Sequence, residues 1–301
     1  MIRHRAAAQS LAAIVLSFGA SGCMGDLDKG SSILDTRVIG VRVEVVGNES
    51  VAAPSPGELA RLTVLLAEPP GEDEDPLGWG VALGPLVREG TGRPIALEVP
   101  VPDAALLGGA RSFPLVGQVC SNGTPSFGMG QTPPTCSEGS TRATTFLATV
   151  SLAREGAPPN RNPAFAADFA TLAEERWDAA ADALPATGCA AMAGGPALPL
   201  VTASETAQRL QLRVADAERE AFMRTDGSAA KEIVTLSHFT SAGDLARQFS
   251  VFEGEAAPDA EIEWTPDLAA DAAGTLVRFW FVARDGRGGL ASTTRAVCVV
   301  P

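Results

Sequence analysis

The chain has 301 residues, 46% hydrophobic and 20% charged, a composition that folds into roughly two globular domains rather than staying disordered. With 31 Gly and 22 Pro, short strands joined by turns are favoured over long helices, and of the 2 His, His4 lies in the segment read below as removed and leaves His238 alone, which excludes multi-imidazole zinc sites and H-E-x-x-H chemistry. A formal net charge of −13 argues against nucleic acid as a partner and against charge-driven adhesion to anionic lipid.

At the amino terminus, Arg3 and Arg5 form a positive region ahead of an uncharged, mostly apolar stretch, residues 6–20, which is the length of a secretory signal core and too short to span a bilayer. Small residues Ala20-Ser21-Gly22 then stand directly before Cys23. This arrangement resembles the lipobox of bacterial lipoproteins. The resemblance implies a cleaved signal peptide, residues 1–22, and a mature chain that begins at Cys23 with covalent acyl chains such as palmitate. Met24 follows where the family's inner-membrane retention signal has Asp, so the implied location is the outer membrane, facing the periplasm or the outside. Two acyl chains suffice for stable attachment, each buried CH₂ adding ~0.8 kcal/mol. Processing removes Arg3 and Arg5 and no carboxylate, which moves the charge from −13 to −13 − 2 = −15.

Residues 23–35 read as the lipidated terminus and tether, and residues 36–156 as a first domain. Ile39, Val41, Val43 and Val45 alternate with Gly40, Arg42 and Glu44, the period of a half-buried strand. Beyond the turn-rich Ala53-Pro54-Ser55-Pro56-Gly57, Leu62, Val64 and Leu66 repeat the pattern, and further strands read at 79–83, 95–99, 113–120 and 144–152. Short strands at this spacing describe an antiparallel sandwich. Ala157-Pro158-Pro159-Asn160-Arg161-Asn162-Pro163 is the linker, followed by a second domain at 164–301. There Asn162 as N-cap, Pro163 and the Ala-rich run to Ala183 favour helix, whereas Phe165, Ala167 and Phe169 alternate as in a strand. The expectation is a strand at 165–171, then a short helix at 174–183. Strands follow at 208–214, 232–239, 248–252 and 261–264.

The strongest local signal is a C-terminal hairpin. Val277, Phe279 and Phe281 alternate against Arg278, Trp280 and Val282, Asp285-Gly286-Arg287-Gly288-Gly289 supplies the turn, and 291–300 returns. This hairpin, with Glu263-Trp264-Thr265-Pro266 upstream and Val38 to Val46 and Pro56 to Val64 in the first domain, resembles bacterial Ig-like and PKD-like repeats. The mature chain as a whole is similar to exported bacterial lipoproteins with tandem domains of that type, and the fold class it implies is all-β, two antiparallel sandwiches.

Besides Cys23, four cysteines remain, Cys120, Cys136, Cys189 and Cys298, an even set available for two disulfides in an oxidising compartment. Three pairings are possible, and proximity favours Cys120 with Cys136, leaving Cys189 with Cys298. No C-x-x-C spacing points to metal.

No residue constellation announces catalysis. Ser237 and His238 are adjacent on a strand and so point to opposite faces. The run Glu72-Asp73-Glu74-Asp75 lacks the one-apart spacing of a calcium loop and reads as a solvated turn. Asp285 reads as a turn cap, and Trp79, Trp177, Trp264 and Trp280 as core rather than a sugar platform. The expectation is a non-enzymatic binding or display module with no cofactor beyond its lipid, its partners the membrane and an envelope protein or glycan. The alternatives are a spacer or subunit of an outer-membrane assembly and, behind both, a hydrolase using Asp267 and Asp271.

Overall fold

The computed structural model describes residues 30–71, 75–83, 86–127, 134–137, 139–153, 155–178, 189, 198–214, 219–224, 226–254 and 259–301. The lipobox and signal segment lie outside them. The described chain is all-β apart from one helical turn, α1 (Ala104–Leu107). In chain order the first nine strands are β1 (Arg37–Val45), β2 (Leu59–Ala67), β3 (Leu77–Leu83), β4 (Leu86–Thr91), β5 (Ile95–Pro100), β6 (Ser112–Ser121), β7 (Pro125–Ser126), β8 (Thr135–Cys136) and β9 (Arg142–Ser151). Strands β1-β2-β5 form one antiparallel sheet and β4-β3-β6-β9 another. The alternation read in the sequence sets their inward faces: Val43, Leu62, Leu97 and Val99 of one sheet pack with Val81, Leu115 and Val150 of the other. Gly117 of β6 sits opposite Phe146 of β9, whose ring lies so close over it that a Cβ there would come 2.0 Å from the ring. The missing side chain thus makes room for the aromatic one.

The second group comprises β10 (Ala170–Leu172), β11 (Glu175–Arg176), β12 (Leu200–Thr202), β13 (Gln208–Arg213), β14 (Ala221–Met223), β15 (Ala229–Lys231), β16 (Val234–Thr240), β17 (Asp244–Leu245), β18 (Phe249–Phe252), β19 (Asp259–Thr265), β20 (Thr275–Arg284) and β21 (Leu290–Val300). Sheet β11-β10-β13-β19-β17 packs on sheet β12-β21-β20-β16-β18, in which the β12–β21 pair is parallel. Between them lies an aromatic core: Trp177 and Trp264 each meet Phe279 edge-on at 4.9 Å, and Phe169 meets Phe281 at 5.5 Å. Edge-on contacts of this kind add stabilisation beyond area burial.

The predicted hairpin is present as β20 and β21, but its alternation does not divide core from solvent. Both faces of β20 are buried. Val277, Phe279 and Phe281 face the aromatic core, and Trp280 and Val282 on the opposite face form a second apolar cluster with Ile33, Ile39 and Ala67 of the amino-terminal part. Ile39 reaches this cluster from a β-bulge in β1, where the register slips between Val38 and Gly40. Bulges redirect a side chain in this way. The Arg284 guanidinium donates to the Ile39 carbonyl and, at 3.0 Å, to the Ser237 hydroxyl.

Three expectations are corrected. Residues 165–169 are not a strand; only Ala170–Leu172 pairs. The short helix does not start at 174, because Ala173 and Glu174, with φ of 49° and 71°, make a tight turn between β10 and β11. Trp177 is drawn into the core, its indole N–H donating to the Ala296 carbonyl at 3.1 Å, so tertiary burial decides the conformation of residues 174–178. Residues 179–183 lie outside the described residues. Asn162 caps no helix: its Nδ2 donates to the Val43 carbonyl at 2.8 Å and its Oδ1 accepts from the Leu290 N–H at 2.9 Å. The Pro-rich 157–163 segment is likewise bound along its backbone, Ala52 N–H donating to Asn160 O and Asn162 N–H to Ser50 O.

Candidate functional site

The 157–163 segment, the β20–β21 turn and the small β14–β15 hairpin converge where the two groups of sheets meet. The turn is organised by Asp285, 3% exposed, whose Oδ1 accepts from the Arg287 and Gly289 N–H groups at 2.7 and 2.9 Å. Its Oδ2 accepts from Asn160 Nδ2 at 2.8 Å. The predicted turn cap therefore also binds the segment between the sandwiches.

Arg287 leaves that turn to meet two carboxylates. Its Nη1 lies 2.7 Å from Glu232 Oε1 and 3.5 Å from Glu220 Oε2, and its guanidinium covers the Phe222 ring at 4.6 Å. Glu232 is 2% exposed and accepts from the Glu220 N–H at 3.0 Å. Burial pushes its carboxyl up to about 7, a rise that nearby Asp285 and Glu220 add to and that the Glu220 N–H and Arg287 oppose. Arg219, also buried, donates to the carbonyls of Glu232 and Gly254 at 2.8 and 2.7 Å. Arg161 extends the cluster, 3.7 Å from Glu220.

Beside this cluster opens a cleft of about 760 Å³, lined among others by Arg111, Ser151, Asn160, Glu220, Phe222 and Arg287. Asn160 is 5% exposed, and its Oδ1 has no hydrogen-bond partner among the described residues. The cleft thus offers guanidinium donors, hydroxyls and an aromatic ring, the chemistry of polar recognition, with the unpartnered Asn160 amide oxygen buried in its wall. Ring and carboxylates are held in place by the same arginine.

The residues singled out from sequence lie elsewhere. Cys120–Cys136 and Cys189–Cys298 are disulfides, as proximity favoured. The first ties the β7–β8 hairpin to β6, and the second ties residue 189 to β21. Ser237 and His238 point apart as expected; the serine accepts from Arg284, and the histidine is fully buried on the core side. The histidine's environment is not the fully satisfied one of a structural imidazole. Nδ1 lies 3.4 Å from the Arg247 carbonyl, Nε2 has no partner among the described residues, and burial lowers its pKa to about 4. Trp177, Trp264 and Trp280 are core, while Trp79 is partly exposed. Asp267 and Asp271 are both exposed. Of the acidic run only Asp75 is described, its carbonyl accepting from Arg93 at 2.8 Å. Cys23 and residues 72–74 lie outside the described residues.

Sequence reasoning missed Glu232, Glu220, Arg219 and Arg287 as a group, because they come from three separate turns and strands. The available signal was compositional: Arg287 sits inside a Gly-rich turn, and Glu232 stands two residues before the start of β16.

Fold and cleft together define an all-β protein of packed antiparallel sheets with a charged recess at their junction. No protein-family model matches the sequence, and no curated protein matches it. Among solved structures the chain is similar to one reported for host cell surface retention of a 1.5-MDa bacterial ice-binding adhesin, at 13% identity and a TM-score of 0.21, covering 88% of this chain. The match takes in 66% of that structure's chain.

Proposed function

We propose that this chain is a lipid-anchored, non-enzymatic binding module of the bacterial cell envelope, built on Ig-like sandwiches and held at the outer membrane by acyl chains on Cys23. The observation that carries the binding half is the junction cleft, where an arginine–carboxylate cluster fixes Phe222 beside Arg111, Ser151 and Arg287. Its guanidinium donors, hydroxyls and aromatic ring suit a glycan or a polar protein segment. Support for the anchor comes from the cysteines: two disulfides use four of the five, and Cys23 alone stays outside them, in the lipobox position. Disulfide use also fits an exported protein.

The test is capture of envelope components by the soluble fragment 24–301 alongside its Phe222→Ala variant, which removes the half-buried aromatic ring of the cleft. A glycan or protein retained by the first and lost by the second supports the reading; repeated capture of nothing overturns it.

A second reading, a stiff spacer within an outer-membrane assembly, is favoured by the apolar cluster and the Arg284 contact that lock the two groups of sheets together. Native mass analysis of detergent extracts separates the two, since a free monomer removes the assembly.

A further inference from the structure

One face of the sheet β12-β21-β20-β16-β18 is closed by the amino-terminal part over Phe239, Trp280 and Val282, yet among the described residues it runs out uncovered at its edge. Strand β18 is that edge. Ser250 and Phe252 point into the core, while Phe249 and Val251 point outward, 58% and 48% exposed, with Ile233 close by in sequence to the neighbouring strand and 49% exposed. Proteins ordinarily guard an open edge with charge or proline, so a bare apolar one marks a surface with an occupant.

The contacts of residues 30–33, together with Cys23 upstream of them, argue for the occupant. Ser31 and Ile33 are hydrogen-bonded to Thr240 at the end of β16, through Thr240 N–H to Ser31 O at 2.9 Å and Ile33 N–H to Thr240 O at 2.8 Å. Gly30 lies against the Gln248 side chain, so close that a Cβ would stand 3.1 Å from its Oε1, and Gln248 directly precedes Phe249. Cys23 is seven residues before Gly30. Fully extended, seven residues reach roughly 25 Å, so a lipid on Cys23 keeps this corner of the molecule near the bilayer whatever path the tether takes.

We infer that the open edge of β18, Phe249 and Val251 with Ile233, seats on the phospholipid bilayer to which Cys23 is attached and fixes the orientation of the protein on it. The inference rests on the lipid anchor proposed above. Because the chain is strongly acidic, the contact is apolar and does not require anionic lipid.

Hydroxyl-radical footprinting of the purified, lipidated full chain on phosphatidylcholine–phosphatidylethanolamine vesicles tests it, with the Cys23→Ser protein mixed with the same vesicles as reference. Oxidation of Phe249 is expected to fall about fivefold or more on the vesicles, while Met223 and Leu147, exposed apolar residues of other elements, keep their rates. The Phe249→Ser/Val251→Ser protein, altered only at exposed positions, is expected to remain vesicle-bound but to lose the difference between Ile233 and Met223. A lipidated protein that sediments with vesicles while Phe249 is oxidised as fast as in the reference overturns this inference and leaves the anchor standing. Protection of Phe249 that arises without vesicles and grows with protein concentration overturns it in favour of a second copy of the chain. Absence of lipid on Cys23, read from the intact mass, removes the anchor and the inference together.

Discussion

Asn160 donates from Nδ2 to Oδ2 of Asp285 at 2.8 Å, a bond between the Pro-rich segment that separates the two groups of sheets and the turn of the C-terminal hairpin. Through it a residue that organises its own turn also fixes how the two halves meet. Replacing Asp285 with Ala removes this bond and both turn bonds at a buried position, for an expected loss of about 3 kcal/mol in urea unfolding. Asp285→Asn, which retains an acceptor, is expected to lose less than half as much.

His238 and Glu232 give stability opposite dependences on pH. Burial lowers the imidazole from 6.5 to about 4, so between those values the unfolded chain takes up a proton that the folded chain refuses. Its contribution is complete above about pH 6.5 and is lost as pH falls to 4, by up to about 3 kcal/mol. Glu232 behaves in reverse: its carboxyl, raised from 4.5 to about 7, contributes fully below 4.5 and loses that contribution as pH rises to 7. The two contributions largely cancel between about pH 4.5 and 6.5, so urea midpoints are expected to fall as pH rises through this range in His238→Leu, where only the Glu232 contribution remains, and to rise with pH in Glu232→Gln, where only the His238 contribution remains.

The two disulfides close loops of very different length, with sequence separations of 16 and 109. On the chain-entropy model their removal costs about 3 and about 4.7 kcal/mol, so Cys189→Ala/Cys298→Ala is the more damaging double variant in a denaturant titration. Gly274 adjoins the longer bridge with φ of 81°, and a Cβ there would stand 2.6 Å from both sulfurs. Gly274→Ala is therefore expected to cost about 2 kcal/mol or more and to expose free thiol on titration, since neither the backbone nor the bridge accommodates the methyl.

Ile39 tests the junction between the halves. Truncating this bulge residue to Ala removes a buried side chain from the cluster with Trp280 and Val282 and is expected to cost about 3 kcal/mol, with a drop in melting temperature shared by both halves. Two separate transitions, with only the first half destabilised, would show that the halves unfold independently.

Much of the fold was legible because its strands carry local information. Period-two alternation located β1 and β20 to within two residues and β2 to within three, strands read at 208–214, 232–239 and 291–300 match β13, β16 and β21 to within two, and Asp285-Gly286 marked the last turn. The missing parts depend on distant residues. Nothing near Trp280 and Val282 announces that Ile33 and Ile39 cover them, so β20 reads as a one-sided strand when both its faces are buried. Residues 174–178 favour helix by composition and form a hairpin because Trp177 has a core to fill. The cleft was least legible, since Glu232, Arg219 and Arg287 acquire their chemistry only when the β14–β15 hairpin folds against the C-terminal turn. Cysteine pairing, in contrast, followed from count and proximity.

The measurement closest to the central claim is the intact mass and membrane partition of the protein expressed in full in a bacterial host. The account predicts a mature chain that begins at Cys23, carries acyl chains and sediments entirely with outer membranes, and a Cys23→Ser variant released in soluble form. An unmodified Cys23, or a Cys23→Ser variant that stays with the membrane, would contradict it.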